Sequence, residues 1–356
     1  MQPRKVLMFD SHDERHVLKH VAVHLLIPLF LGTGMALAYL GGFHQPSPHD
    51  VRVDVVGSSA EAQVLAQSLQ EGVGDALDVR TVANAEDARD RIEHREIAAA
   101  LVPGDETATL LYSDAASATT SSSVLTVFQA VTEKEGVRLQ TENVVPVAAQ
   151  GDPSGQSMFF YVVGLTVGAY AAGIAIGAAG AGLRIRVRVA LAIAASAVLT
   201  ALVTVVAGPV YGALPSHVAQ IGLLAWLYTA GIVLFGVGLH PFLGRLTTPA
   251  MVGLFVMLNF TSAGGVYAPE LQPGFFGVLH SFWNGAALNE IGRNLVYFPQ
   301  LGVGREILTL ALWLVAGAML VGASGLAERR RRDAAHAATS SPDPVEEELE
   351  EVVAVG

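Results

Sequence analysis

Cysteine is absent from the 356-residue chain. Disulfides and thiolate metal centres are therefore excluded, and any exported part folds on its own core. Charge is sparse as well: 15% of residues are charged against 52% hydrophobic, and the mean hydropathy is +0.47. That balance is too apolar for an ordinary soluble domain and points to a membrane protein. Basic residues are scarcer than acidic ones, 21 against 32, for a formal net charge of −11. Such a balance argues against nucleic acid as a partner. The acidity is local. Residues 44–156 hold 18 acidic and 7 basic side chains, a balance of −11, so the rest of the chain sums to zero. Catalytic signatures are missing too: the chain has no G-x-S-x-G elbow, no H-E-x-x-H pair and no Gly-Lys-Ser/Thr phosphate loop. No enzymatic role, no nucleotide site in cis and no cofactor or metal of its own is expected.

What the chain has in abundance is long apolar runs. They occupy about residues 21–43, 157–182, 189–213, 218–240, 249–268 and 306–327, each close to the ~20 residues a bilayer requires. Arg4, Lys5, Arg15 and Lys19 precede the first run, and Arg184, Arg186 and Arg188 separate the second from the third. Arg245 lies between the fourth and fifth, and Arg329 to Arg332 follow the sixth. All fall on one side if both termini are cytoplasmic, while the opposite short loops hold only Arg293 and Arg305. The positive-inside rule therefore fixes the orientation. Ala36-Leu37-Ala38 after a basic start also suits a cleavable signal peptide, but the run from Val21 to Phe43 is longer than a signal core and favours a retained span.

Ser11 and Glu14 form a capping box, predicting a helix from Ser11 into the first span, with Pro28 as a kink. His12, His16, His20 and His24 recur every four residues on it. Adjacent pairs face each other, yet each step drifts by about 40° from the helical period, so the four do not converge on one metal. An amphipathic helix at the cytoplasmic headgroups is the simpler expectation. In the second span Gly164, Gly168, Gly173 and Gly177 are candidate helix-packing positions, since small residues four apart let backbones approach within a bundle or a dimer.

Residues 44–156 suffice for one compact domain. "VRVDVVG" (51–57) predicts a strand, and Ser58 with Glu61 a second capping box opening a helix to about Gln70. "LDVRTVA" (77–83) is a strand, Asn84 caps a helix through His94, and "IAAALVPG" and "ATLLYSD" are two further strands. A helix near 119–136 and a strand at 137–147 complete a small α/β domain with a mixed sheet. Asp87, Asp90, Glu93 and Glu96 alternate with Arg89, Arg91 and Arg95, the pattern of a solvated helix face with weak ion pairs. The serine-rich stretch 117–123 suits a flexible helix start better than a ligand site.

The segment 261–298, "TSAGGVYAPELQPGFFGVLHSFWNGAALNEIGRNLVYF", interrupts the last two runs. Gly264, Gly265, Pro269 and Pro273 forbid a continuous helix and are candidate hairpin breaks. Asn284 is a candidate cap for a helix over 285–298. On that helix Leu288, Ile291, Leu295 and Phe298 share one face, and Glu290, Arg293, Asn294 and Tyr297 share the other. Too short to span, it is expected to lie on or dip into the outer leaflet as part of a re-entrant or interfacial hairpin. Its polar face is a candidate lid bordering a translocation path, though a simple Glu290–Arg293 pair at the water boundary explains the same residues.

Together these readings give a polytopic α-helical membrane protein. It has six transmembrane helices, a small extracytoplasmic α/β domain between helices 1 and 2, and an outer helical hairpin between helices 5 and 6. The expected divisions are 1–43, 44–156, 157–327 and an unfolded cytoplasmic tail, 328–356, in which "ERRRR" anchors the last span. With "VDVVGSSAEAQVLAQSL", "ARDRIEHREIAAALVPG", "ENVVPVAAQGDPSGQSMFFYVVG" and "SAGGVYAPELQPGFFGVLHSFWNGAALNEIGRNLVYF", this layout resembles type-2 ABC exporter permeases over roughly residues 20–327. Within them it is most similar to the phage infection protein (YhgE/Pip) branch and related actinobacterial membrane proteins. The resemblance implies a permease in the bacterial plasma membrane that exports lipophilic, glycoconjugate or peptide substrates. It further implies membrane lipid as partner, ATP used only through a separate ATPase subunit, and a homodimer or a related permease. Such permeases meet their ATPase through an N-terminal amphipathic helix and a loop between spans two and three. Here that loop, "LRIRVR" (183–188), is very short, which favours the alternative of a cell-envelope scaffold, secretion accessory or receptor acting through the exported domain.

Overall fold

The computed structural model describes residues 11–147, 152 and 154–339. The capping box at Ser11 and Glu14 and the histidines at 12, 16, 20 and 24 fall where side chains lie outside the described ones, and residues 340–356 of the tail lie outside altogether.

Five strands form one mixed sheet in the order β2-β1-β3-β4-β5. Along the chain these are β1 (Val51–Val56), β2 (Leu77–Val82), β3 (Ala99–Val102), β4 (Thr107–Tyr112) and β5 (Arg138–Asn143). β1 runs parallel to β2 and β3, β3 antiparallel to β4, and β4 parallel to β5. Alternate residues explain the two faces. Val51, Val53 and Val55 join Leu101 and Leu110 against α2 (Ala60–Val73) and α4 (Asp114–Glu135), whereas Val82, Ala100 and Leu111 meet α3 (Ala85–Glu93). Asn84 caps α3 by accepting from the amides of Glu86 and Asp87. The cap of α2 is Ser59, not Ser58: its hydroxyl accepts from the Ala62 amide at 3.3 Å, so no reciprocal box with Glu61 forms. α4 begins earlier than its serine run suggests, because Ser113 caps it, with Ser117 left in an extended conformation inside.

Outside the sheet region the described residues are mainly helical, and among them five helical stretches are long and apolar enough to cross a bilayer: Val21–Phe43, Ser157–Ala179, Ile185–Val210, Val218–Ser262 and Gly304–His336. The first lies within α1 (Ser11–Phe43), which continues through Pro28. The second and third are α5 (Ser157–Ala179) and α6 (Ile185–Val205), the latter extended by a π turn over Val206–Val210. The fourth is a hairpin. α7 (Val218–Leu243) ends at Gly244, whose φ of 53° turns the chain into α8 (Thr247–Val252), a π turn over Gly253–Leu258 and α9 (Asn259–Ser262). Phe235 and Phe255 stack at 5.5 Å and the Asn259 amide reaches the Tyr228 hydroxyl at 2.9 Å, so the limbs run antiparallel. The last stretch belongs to α12 (Gly304–Thr339).

Side-chain pairs fix the remaining directions. Tyr161 bonds Thr204 at 2.7 Å and Thr200 bonds Thr229 at 2.8 Å, so α6 opposes both α5 and α7. The four glycines of α5 are all used within this bundle. Added Cβ atoms at Gly164 and Gly168 would meet Val203 and Leu199 of α6, and at Gly173 and Gly177 the Val233 carbonyl and His240 of α7. The Gly173–Gly236 approach is backbone to backbone, which no larger residue permits. One end of the bundle carries the sheet together with α10 (Gly274–His280) and α11 (Asn284–Tyr297); the other carries Arg184, Arg245 and the start of the Arg329–Arg332 run.

Two expectations need correction there. Residues 183–188 are not a free loop. α6 starts at Ile185, and Arg188 is fully buried with its guanidinium bonded to Glu328. Nor does order end at residue 328, because α12 runs on through the arginines to Thr339.

Candidate functional site

The broken segment 263–283 keeps its backbone satisfied through buried amides and a histidine, as irregular chain away from water requires. Gly264 has a φ of 69° and sits under the His280 ring, while Gly265 faces Phe159. His280 Nδ1 donates to the Ser262 carbonyl at 2.9 Å, Asn289 to that of Ala263 at 3.1 Å, and Gln272 to that of Thr261 at 2.9 Å. Pro269 opens a short 3-10 turn and Pro273 precedes α10. Trp283 occupies the cap position of α11, not Asn284, whose buried carboxamide lies within the first turn. There the Gly285 amide donates to Asn259 Oδ1 at 3.0 Å, tying α11 to α9.

α11 does not lie on a surface. Leu288, Ile291 and Phe298 are buried as the apolar face demands, but the polar face is covered too, by the sheet region. The reason is Arg95, placed just after α3 in a left-handed conformation (φ 56°) that is uncommon for any residue but glycine. Its guanidinium donates to Glu290 Oε2 at 2.6 Å and to Asn294 Oδ1 at 2.7 Å, with the Phe298 ring 5.4 Å below. Glu290 is gripped on its other oxygen by Arg293, which also donates to the Gly264 carbonyl at 3.1 Å. Burial alone would raise the Glu290 pKa, but Arg293 and Arg95 outweigh it and hold the carboxyl well below the usual range. Burial lowers the Arg293 pKa against the opposing pull of Glu290. The pair at the water boundary expected from i,i+3 spacing is thus a half-buried three-residue clamp between sheet and bundle. A carboxylate held ionised this firmly is poorly matched to proton transfer near neutral pH.

Other bonds close the same seam. The Thr120 hydroxyl donates to Glu270 at 3.0 Å, the His49 amide to the Glu270 carbonyl at 2.8 Å, and the Gln300 amide to the Glu93 carbonyl at 2.6 Å. Between them lies a cavity of about 530 Å³. Ser117, Thr120 and Ser121 wall it from the sheet side, and Glu290, Arg293 and Asn294 from α11. Its size falls in the ~300–1,000 Å³ range of small-molecule sites. Tyr297 is not brought to this cavity; it borders a separate small cleft with Asp152 and Gly155. Among the described residues no group of three His, Asp or Glu side chains is placed to hold a metal ion.

Two members of this site, Arg95 and Glu270, escaped the sequence. Arg95 and Arg91 read as surface partners of neighbouring acids, yet Arg91 reaches Asp54, a buried carboxylate on β1. Burial raises the Asp54 pKa despite Arg91. Glu270 carried no signal beyond its place between two prolines. No protein-family model, curated protein or solved structure matches the chain.

Proposed function

We propose that the chain is the permease subunit of a type-2 ABC-like exporter, crossing the bacterial plasma membrane six times and driven by a separate ATPase. The Gly244 turn supports six crossings, since the 45 residues of Val218–Ser262 in one helix would measure about 67 Å, twice the ~30 Å hydrocarbon core. The positive-inside rule then puts the arginine-bearing end in the cytoplasm and the sheet outside. The observation that carries the reading is the cavity walled jointly by the sheet region and α11 at the end of the bundle. It is the chamber expected where a substrate leaves the helices under an external lid, the lid being the α10–α11 hairpin held by Arg95. Gentle purification of the native complex should recover a nucleotide-hydrolysing chain, and depletion should reduce export of an envelope lipid or glycoconjugate. A complex without an ATPase and unchanged export would end the proposal.

One observation favours a second reading, an envelope scaffold or receptor. Only residues 180–184 separate α5 from α6, leaving little chain for a coupling loop. Removing residues 50–150 separates the two. A permease keeps its ATPase contact; a scaffold loses its partner outright.

A further inference from the structure

The cavity is floored by the bundle and reaches the edge between α10 and α12. Its floor is Trp283, Ala286 and Ala287, all buried, with the Trp283 ring stacked 5.2 Å from Trp313. Its rim is where α10 ends against the first turns of α12. Arg305 donates to the Ser281 carbonyl at 3.0 Å and the Trp313 indole to that of Phe282 at 2.9 Å, and Ser281, Arg305 and Thr309 line the cavity here. From this rim an apolar strip continues outside the cavity. On α12, Leu308, Leu312 and Val315 are exposed and, at 100° per residue, stand within about 80° of Arg305 around the helix. Phe275 and Val278 of α10, and Phe282 just after it, are exposed beside Ser281. Polar wall residues of the cavity thus border an exposed apolar strip.

The charge of the chamber nearly cancels. In the clamp and Glu270, two guanidiniums face two carboxylates; beyond them the wall adds Arg52 and Arg305 against Asp50, Glu96 and Glu306. Hydroxyls of Ser117, Thr120, Ser121 and Thr309 and the Asn294 amide fill the gaps. Such a wall, four guanidiniums against five carboxylates, offers donors and acceptors side by side with only a small net charge.

We infer that the cavity holds the head of a membrane amphiphile that enters or leaves sideways through the outer leaflet. The head carries hydrogen-bond donors and acceptors but no net charge, and the acyl chains lie on the α10–α12 strip. Zwitterionic phosphoethanolamine and an uncharged sugar share this chemistry. The inference rests on the membrane placement proposed above and not on an ATPase, so either can fail alone.

The test uses the full chain in phosphatidylglycerol vesicles doped with diacyl lipids that carry a photoreactive group in the acyl chain. Four heads are compared: phosphoethanolamine, monoglucosyl, phosphoglycerol and a quaternary ammonium. Cross-linked peptides are mapped by mass spectrometry. The apolar groove of about 500 Å³ beside Phe160, Leu202 and Tyr211, between α5 and α6, is the internal control. At least one zero-charge probe should label residues 275–282 and 305–315 about fivefold above the control groove, a modest affinity difference; which of the two does so identifies the source. Thr309→Trp, which fills this edge of the cavity, should bring strip labelling down to the control level while the control itself stays constant, showing that the variant is folded. Arg52→Glu, at an exposed position on the wall, should shift preference toward the quaternary ammonium probe. Strip labelling no stronger than in the groove, equal labelling by the phosphoglycerol probe, or indifference to Thr309→Trp would overturn the inference.

Discussion

The two ends of the bundle each hold an arginine–glutamate contact away from bulk water, and they differ in what surrounds it. At the arginine-bearing end, Arg188 of α6 and Glu328 of α12 form a private pair; Arg188 is fully enclosed and its Nε has no acceptor. At the sheet end, Glu290 is shared by Arg95 and Arg293, and the three line a cavity. The first ties the first turn of α6 to α12, two helices that otherwise meet only near Ile185 and Gly325 and pack mainly on α7 instead. The second joins a sheet to a bundle across 195 positions of sequence and is part of a chamber wall. Equivalent chemistry therefore serves helix packing at one end and domain docking at the other, and each can be broken separately.

The largest effect should come from the private pair. Glu328→Ala strands a buried guanidinium, which typically costs about 3–5 kcal/mol, whereas Arg188→Met with Glu328→Leu should recover most of that loss, since apolar replacements of buried pairs are often neutral. Thermal unfolding of the detergent-solubilised protein reads both. A double variant as unstable as Glu328→Ala would mean that the ion pair itself, and not its unpaired remnant, sets stability.

Glu290→Ala should act more locally. It leaves Arg95 and Arg293 facing each other without a carboxylate, and because Arg95 is partly exposed the loss should be nearer 2–3 kcal/mol. The signature is docking: hydrogen exchange should rise at residues 93–96 and 290–298 while the α5–α7 contact stays protected. If exchange rises throughout the bundle, the sheet end is no more specialised than the other.

Much of this fold is legible in the sequence because local pattern and burial agree. Val51, Val53 and Val55 alternate and are buried, Asn84 has the geometry of a cap, and the glycines and prolines at 264, 265, 269 and 273 break the helix where they stand. The site is less legible, because its partners are chosen by tertiary distance. Arg95 sits among acids at helical spacing, and nothing local says that a left-handed turn aims it at Glu290. Glu328 precedes four arginines and reads as part of their run, yet its partner lies 140 residues earlier. The amphipathic face of α11 was visible, but amphipathicity alone does not distinguish water from a second layer of protein above the polar side.

Acid provides the smallest and sharpest separation of the two ends. The folded Glu290 pKa lies below that of an exposed glutamate, so the clamp is fully present above the unfolded value, about 4.3, and is lost as pH falls through the folded one. One proton bound more tightly by the undocked state changes docking by at most about 1.4 kcal/mol per pH unit below that point. Limited proteolysis between sheet and bundle should therefore be flat from pH 7 to 5 and accelerate toward pH 3. Glu290→Gln, which has no carboxyl to protonate, should begin looser and lose that acid-dependent increment. If the variant keeps the same acceleration, Glu290 does not carry the acid response and the sheet end is not distinguished by it.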